Sequence, residues 1–136
     1  MNTLRIHHIG YLVKKISPAI ESFKALGFSI LQDVKYDEFR KVDICFMEKD
    51  SYCIELVCPK DKDSVVYNLL KKYKNCPYHI CYESDKGNFE NDLEYLTSEG
   101  GYVAIDTPSP APCIDSRKVV FLMSPSLGMI ELLENP

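Results

Sequence analysis

The chain has 136 residues and a formal charge of −4, from 16 Lys and Arg against 20 Asp and Glu. That length allows one ordinary domain and hardly two, and the 46% apolar, 26% charged composition is that of a soluble globular protein. The acidic balance argues against nucleic acid as the main partner, because a phosphate backbone needs a Lys/Arg surplus, and no apolar run approaches the length of a membrane span.

Residues 3–13 read as a strand. Ser17-Pro18 then opens a helix, with Ser as N-cap and Pro at the first helical position. Ile20, Phe23, Ala25 and Leu26 supply its apolar stripe, and Gly27 stops it. Strand-like runs follow at 28–35, 40–48 and 51–58, the last two forming a hairpin with its turn at Lys49-Asp50. A polar connector leads into a short helix, 65–73, capped by Ser64 and presenting Val66, Leu69, Leu70 and Tyr73 on one side. Residues 77–84 read as a strand. Asn88 caps a helix with Phe89, Leu93 and Leu96 at helical spacing, ended by Gly100-Gly101. Strands are expected at 101–106, 117–124 and 127–134, with a Pro-rich loop from Thr107 to Pro112 between the first two.

The order strand, helix, three strands therefore occurs twice, an α+β pattern that suggests a duplication. His8-Ile9-Gly10-Tyr11 matches His79-Ile80-Cys81-Tyr82 at an offset of 71, and Ile54-Glu55-Leu56 matches Ile130-Glu131-Leu132 at 76. Arg40-Lys41-Val42 matches Arg117-Lys118-Val119 at 77, and Leu26-Gly27-Phe28 lies where Gly100-Gly101-Tyr102 lies. Any one match is chance-level, but four in order are not. We expect a single domain over 1–136, built of modules 1–60 and 76–136 around a connector at 61–75.

The six cysteines contain no Cys-x-x-Cys pair. Met1 to Ile6 lacks the apolar stretch of a secretory signal. Reduced, buried thiols in a cytoplasmic protein are the expectation.

The repeat singles out His8, Glu55, His79 and Glu131, since each half offers one His in its first strand and one Glu in its last. Alternation puts Glu55 on the face of Cys53 and Val57, and Glu131 on that of Met129 and Leu133. A carboxylate inside an apolar strand is costly unless it is exposed, paired or bound to a cation. Either Glu alone would be expected to face solvent. The same two residue types at the same two points of both halves favours a joint site instead. His7 has no counterpart in the second half and is set aside. Two imidazoles and two carboxylates suit a divalent ion such as Zn²⁺, Ni²⁺, Co²⁺, Mn²⁺ or Fe²⁺, with two positions of a six-coordinate ion left for water or substrate.

Two βαβββ modules carrying His, Glu, His, Glu in that order resemble the vicinal oxygen chelate superfamily, which includes glyoxalase I, methylmalonyl-CoA epimerase, extradiol dioxygenases and the bleomycin- and fosfomycin-resistance proteins. The carrying segments are His7-His8-Ile9-Gly10-Tyr11, Tyr52-Cys53-Ile54-Glu55-Leu56-Val57, Pro77-Tyr78-His79-Ile80-Cys81-Tyr82-Glu83 and Gly128-Met129-Ile130-Glu131-Leu132-Leu133. The resemblance implies a half-barrel fold and a divalent metal (Ni, Zn or Co) held by His8, Glu55, His79 and Glu131. It implies a glyoxalase I (lactoylglutathione lyase) type of reaction on a glutathione- or CoA-type thiol conjugate, with methylmalonyl-CoA epimerisation as the alternative. A non-catalytic antibiotic-binding protein is a remote third reading, disfavoured because all four ligands are present. In this scheme Glu131 is the main base and Glu55 a ligand or second acid–base group. Arg40, Arg117 and Lys118 are candidate anchors for the anionic substrate. Asp43 stands near a place where some epimerases carry a further carboxylate, and the loop 107–116 is a candidate cover for the pocket. A cytoplasmic homodimer without nucleic-acid or membrane partners completes the expectation.

Overall fold

The computed structural model describes residues 3–136. Its elements, in chain order, are β1 (Arg5–Leu12), α1 (Ile16–Ala25), β2 (Ser29–Asp37), β3 (Val42–Lys49), β4 (Tyr52–Pro59), α2 (Tyr67–Tyr73), β5 (Cys76–Glu83), α3 (Phe89–Ser98), β6 (Val103–Ala104), β7 (Ser109–Ala111), a 3₁₀ turn (Pro112–Ile114), β8 (Arg117–Ser124) and β9 (Gly128–Leu133). This is the expected α+β pattern of two βαβββ modules, with one short strand added to the second. Among the described residues no helix is long and apolar enough to cross a membrane.

The described residues form two compact units, one of His8–Tyr78 and the other of residues 3–7 together with His79–Pro136. In the first unit the strands are ordered β2-β3-β4-β1, with β1 and β4 parallel and the rest antiparallel. Ile9 lies opposite Ile54 and Gly10 opposite Glu55. One sheet face, carrying Ile9, Tyr11, Cys45, Met47, Ile54 and Leu56, packs against Ile16, Ala19, Ile20 and Phe23 of α1. In the second unit the order is β5-β9-β8-β6, with β7 also pairing β8. Here Ile80 lies opposite Ile130 and Cys81 opposite Glu131, the same register as in the first unit. Val120, Leu122, Ile130 and Leu132 pack against Phe89, Leu93 and Leu96 of α3.

Several local expectations need correction. The α1 N-cap is Lys15, with extended backbone and no side-chain cap, so Ser17 and Pro18 lie inside the first turn. Pro18 is tolerated there because first-turn N–H groups lack an intrahelical acceptor anyway. At the other end Gly27, at φ +98°, lets its own N–H reach Lys24 O and that of Phe28 reach Phe23 O, the double closure that a left-handed residue permits. The β3–β4 turn is Asp50-Ser51, one residue later than expected, with both residues at positive φ (51° and 71°), as a two-residue hairpin of the strand-matching hand requires. The connector helix starts only at Tyr67 and buries none of its residues. Ser64 instead donates its hydroxyl to Arg40 O at 3.0 Å. The Pro-rich segment is not an open loop. Ser109–Ala111 pairs with Arg117–Val119, and the 3₁₀ turn that follows buries Cys113 and Ile114.

Candidate metal centre

In the first unit His8 and Glu55 project from parallel neighbours on the sheet face opposite α1. Both are buried, at 1% and 5% exposure. His8 Nε2 is 3.4 Å from Glu55 Oε1. Phe46, directly across from Glu55 on β3, sets its ring edge-on to the His8 imidazole, with centroids 5.4 Å apart and planes at 78°. In the second unit His79 and Glu131 are buried to the same degree. His79 Nε2 is 3.1 Å from Glu131 Oε1. Phe121, across from Glu131 on β8, meets the His79 ring at 5.2 Å and 87°. Each unit therefore builds the same device from three strands: imidazole, carboxylate and an aromatic edge contact of the kind that favours one ring orientation. Phe46 and Phe121 were not among the expected residues. Their offset of 75 falls inside the drift of the repeat and was the available signal.

Burying a carboxylate on an apolar strand demands a strong partner. His8, Glu55, His79 and Glu131 are all buried, and each offers one metal-ligating atom. Two ligands about 2.1 Å from one ion, subtending between a right and a tetrahedral angle, stand roughly 3.0–3.4 Å apart. The Nε2–Oε1 separations of both pairs fall in that interval, so each pair fits ligation as well as it fits a direct hydrogen bond. Burial pushes up the thiol of Cys53, on the same face of β4 as Glu55.

The other expected site residues have structural partners. Arg40 sits in the β2–β3 turn and donates to buried Asp37 at 2.9 Å; Asp37 also accepts from the Phe39 and Arg40 N–H groups. Arg117 donates Nε to Glu134 O at 2.7 Å and a guanidinium N–H to the Glu83 carboxylate. Lys118 pairs with Glu90 at 3.2 Å and Glu134 at 3.6 Å. Asp43 lies opposite Cys58, on the sheet face that carries α1, and pairs with Lys60 at 3.2 Å. It is therefore not on the face of His8 and Glu55. The β3 residues on that face are Val42, Ile44, Phe46 and, at the exposed end, Glu48. A further network joins Arg5 to Glu83 and Asp85. Burial alone would raise the Glu83 carboxyl, but hydrogen bonds from Arg117 and Arg5 outweigh it and hold the group below the usual carboxylate range.

A search of curated proteins finds no match. Among solved structures, a hypothetical protein from Bacillus halodurans C-125 superimposes with a TM-score of 0.83 at 24% identity, over 98% of this chain and 96% of that one. Methylmalonyl-CoA epimerase from Mycobacterium tuberculosis gives 0.81 at 18% identity, covering 96% and 87%. A Streptomyces coelicolor methylmalonyl-CoA epimerase variant in complex with 2-nitronate-propionyl-CoA gives 0.78 at 20%, covering 96% of each. At these identities the likeness establishes the fold. Residues 7–121 match the model of one family, and that span contains both repeats of the first strand and the helix after each. The chain belongs to the Glyoxalase/Bleomycin resistance protein/Dioxygenase superfamily.

Proposed function

We propose that His8, Glu55, His79 and Glu131 act together as one four-donor site for a divalent cation, and that the protein is an enzyme of the glyoxalase I type. It would convert a 2-oxoaldehyde–thiol hemithioacetal to a 2-hydroxyacyl thioester. The observation that carries this reading is the repetition of a buried imidazole–carboxylate pair, with the same strand register and the same aromatic neighbour. A bound cation would supply charge stabilisation at the substrate oxygen where negative charge develops. Glu131 is the base in this scheme. Its carboxylate takes the proton from the carbon beside the carbonyl and returns it to the neighbouring carbon, so that no oxidant or reductant is needed. Glu55 serves as ligand or as the second acid–base group. His8 and His79 would offer Nε2 to the cation while Phe46 and Phe121 steady their rings. The protein is a cytoplasmic homodimer in this reading.

Methylmalonyl-CoA epimerisation is the second reading. It is favoured by the similar structures, one of them an epimerase in complex with methylmalonyl-CoA. Epimerisation removes a proton from one face of a carbon and returns it to the other, and Glu55 and Glu131 are the two groups available. On β3 the residue directly across from Glu55 is the apolar Phe46, and the carboxylate on that face, Glu48, stands exposed opposite Cys53.

The deciding experiment loads apo-protein separately with Zn²⁺, Ni²⁺ and Co²⁺. Each form is assayed on the methylglyoxal–glutathione hemithioacetal and on methylmalonyl-CoA. Turnover of the hemithioacetal is expected. Turnover of methylmalonyl-CoA alone moves the assignment to the second reading. Failure to bind any of the ions stoichiometrically overturns both.

A further inference from the structure

Two cavities meet on the α1-bearing side of the first unit. One, of about 460 Å³, is walled largely by Tyr11, Val13, Pro18, Ala19, Phe23 and Leu26. The other, of about 360 Å³, lies between the end of β4 and α2, with Lys60, Lys71 and Lys74 in its lining. Lys14 and Asn75 line both. The Lys14 N–H donates to Asn75 Oδ1 at 2.7 Å, which ties the end of β1 to the segment after α2 and fixes the shared edge.

The charge here runs against the molecule. The chain carries −4 overall, yet five lysines line these cavities against one carboxylate, Asp61. Lys60 is compensated by Asp43. Lys14, Lys15 and Lys71 take part in none of the ion pairs among the described residues. Converging ammonium groups without counter-charge repel one another and attract anions. The larger cavity supplies the opposite chemistry, an apolar hollow floored by the Tyr11 and Phe23 rings, 5.2 Å apart and edge-on. Its volume lies in the range of small-molecule sites. Tyr11 points to the α1 side of β1 while His8, three residues earlier, points to the other, so this place is separate from the His8–Glu55 pair.

We infer that this double cavity binds a ligand made of an apolar body joined to phosphate. The body enters the hollow beside α1, and the phosphates sit at the shared edge between Lys14 and Lys71, lysine being a point-charge binder of phosphate. A nucleotide and a lysophospholipid share this chemistry. The inference does not depend on the metal site, and its test uses no turnover.

Titration calorimetry of the full chain distinguishes the sources. One arm uses adenosine 3′,5′-bisphosphate and the other lysophosphatidic acid below its micelle concentration. Binding of either probe at one per chain supports the inference and names the source. Two variants then locate it: the double charge reversal Lys14→Glu/Lys71→Glu, and Ser22→Trp, which fills the hollow. Each is expected to weaken binding by about tenfold or more, with the thermal midpoint confirming that the variants fold. Absence of binding by both probes overturns the inference. So does unchanged affinity in both variants, or inorganic pyrophosphate binding as tightly as the probes, since the apolar hollow would then contribute nothing.

Discussion

The two modules agree at their centre and differ at their edge. Cys45, Met47, Ile54 and Leu56 in the first occupy the positions of Val120, Leu122, Ile130 and Leu132 in the second. The His, Glu and Phe triplets are superimposable in register. The outer strand is not. The first module has the nine-residue β2 along the whole of β3. The second covers β8 with the two residues of β6, a bent segment, and the three of β7. The closing hairpins also differ: Asp50-Ser51 in one, and in the other the three residues 125–127, followed by Gly128 at φ +79°. Side chains that must meet within an ångström or so are held by the two central parallel strands and the one beside them. The outermost strand pairs with neither the His nor the Glu strand and meets the triplet only at its aromatic member, as Gln32 does opposite Phe46, so its sequence is freer to drift.

Substitutions in each module test how far the two are equivalent. The largest effect is expected from the carboxylates. Glu131→Gln should lower turnover by about 10²–10⁴-fold while retaining part of the metal affinity, and Glu55→Gln should lower it less. Steady-state kinetics and metal titration of both variants check this, and equal losses would mean that the modules share the chemistry evenly. Next come the aromatic neighbours. Phe46→Ala and Phe121→Ala should each cost up to about 3–5 kcal/mol of stability, because both rings touch an imidazole, Phe46 from a buried position and Phe121 from a half-buried one. Denaturant unfolding measures the cost, and a difference well beyond 1 kcal/mol between them would show that the two triplets are not equivalent.

A smaller effect separates the modules by pH. Only the second contains the Glu83–Arg117–Arg5 cluster. Glu83 has a folded pKa below its ordinary value, so its contribution is present above the ordinary carboxylate pKa and is lost as pH falls through the lower, folded one. The thermal midpoint should therefore fall on acidification below about pH 4, and Glu83→Gln should remove part of that slope. The smallest effect is local to the first module. Ser51 holds φ +71° without being glycine, so Ser51→Gly should raise stability by up to about 1 kcal/mol, read from the unfolding midpoint.

Much of this was legible in the chain. The His–Ile and Ile–Glu–Leu repeats gave the modules, the strands and the paired residues, because a parallel register of period two leaves its trace in sequence. The helix stop at Gly27 was legible for the same kind of reason, since only the local backbone decides it. The start of α1 was not. Ser17 and Pro18 look like a cap, but packing of Ile16 against the sheet draws the helix two residues earlier. Proline content likewise marked 107–112 as loop, whereas Ser109 and Ala111 find partners on β8 that sequence does not display.

The anchors show the same division. Arg40, Arg117 and Lys118 stood out as cations; Asp37, three residues before Arg40, lay within local reach, but nothing local indicated that Glu83 and Glu90 would meet Arg117 and Lys118. The faces of Asp43 and Glu55 are a matter of alternation once the register of β3 on β4 is known, and that register is tertiary. By itself the sequence determined which residues recur and hence the His–Glu constellation of each half. Tertiary structure alone decided that Glu83 and Glu90 meet Arg117 and Lys118, that Asp43 and Glu55 face opposite ways, and which lysines line one pair of cavities, because these depend on distances between segments remote in the chain.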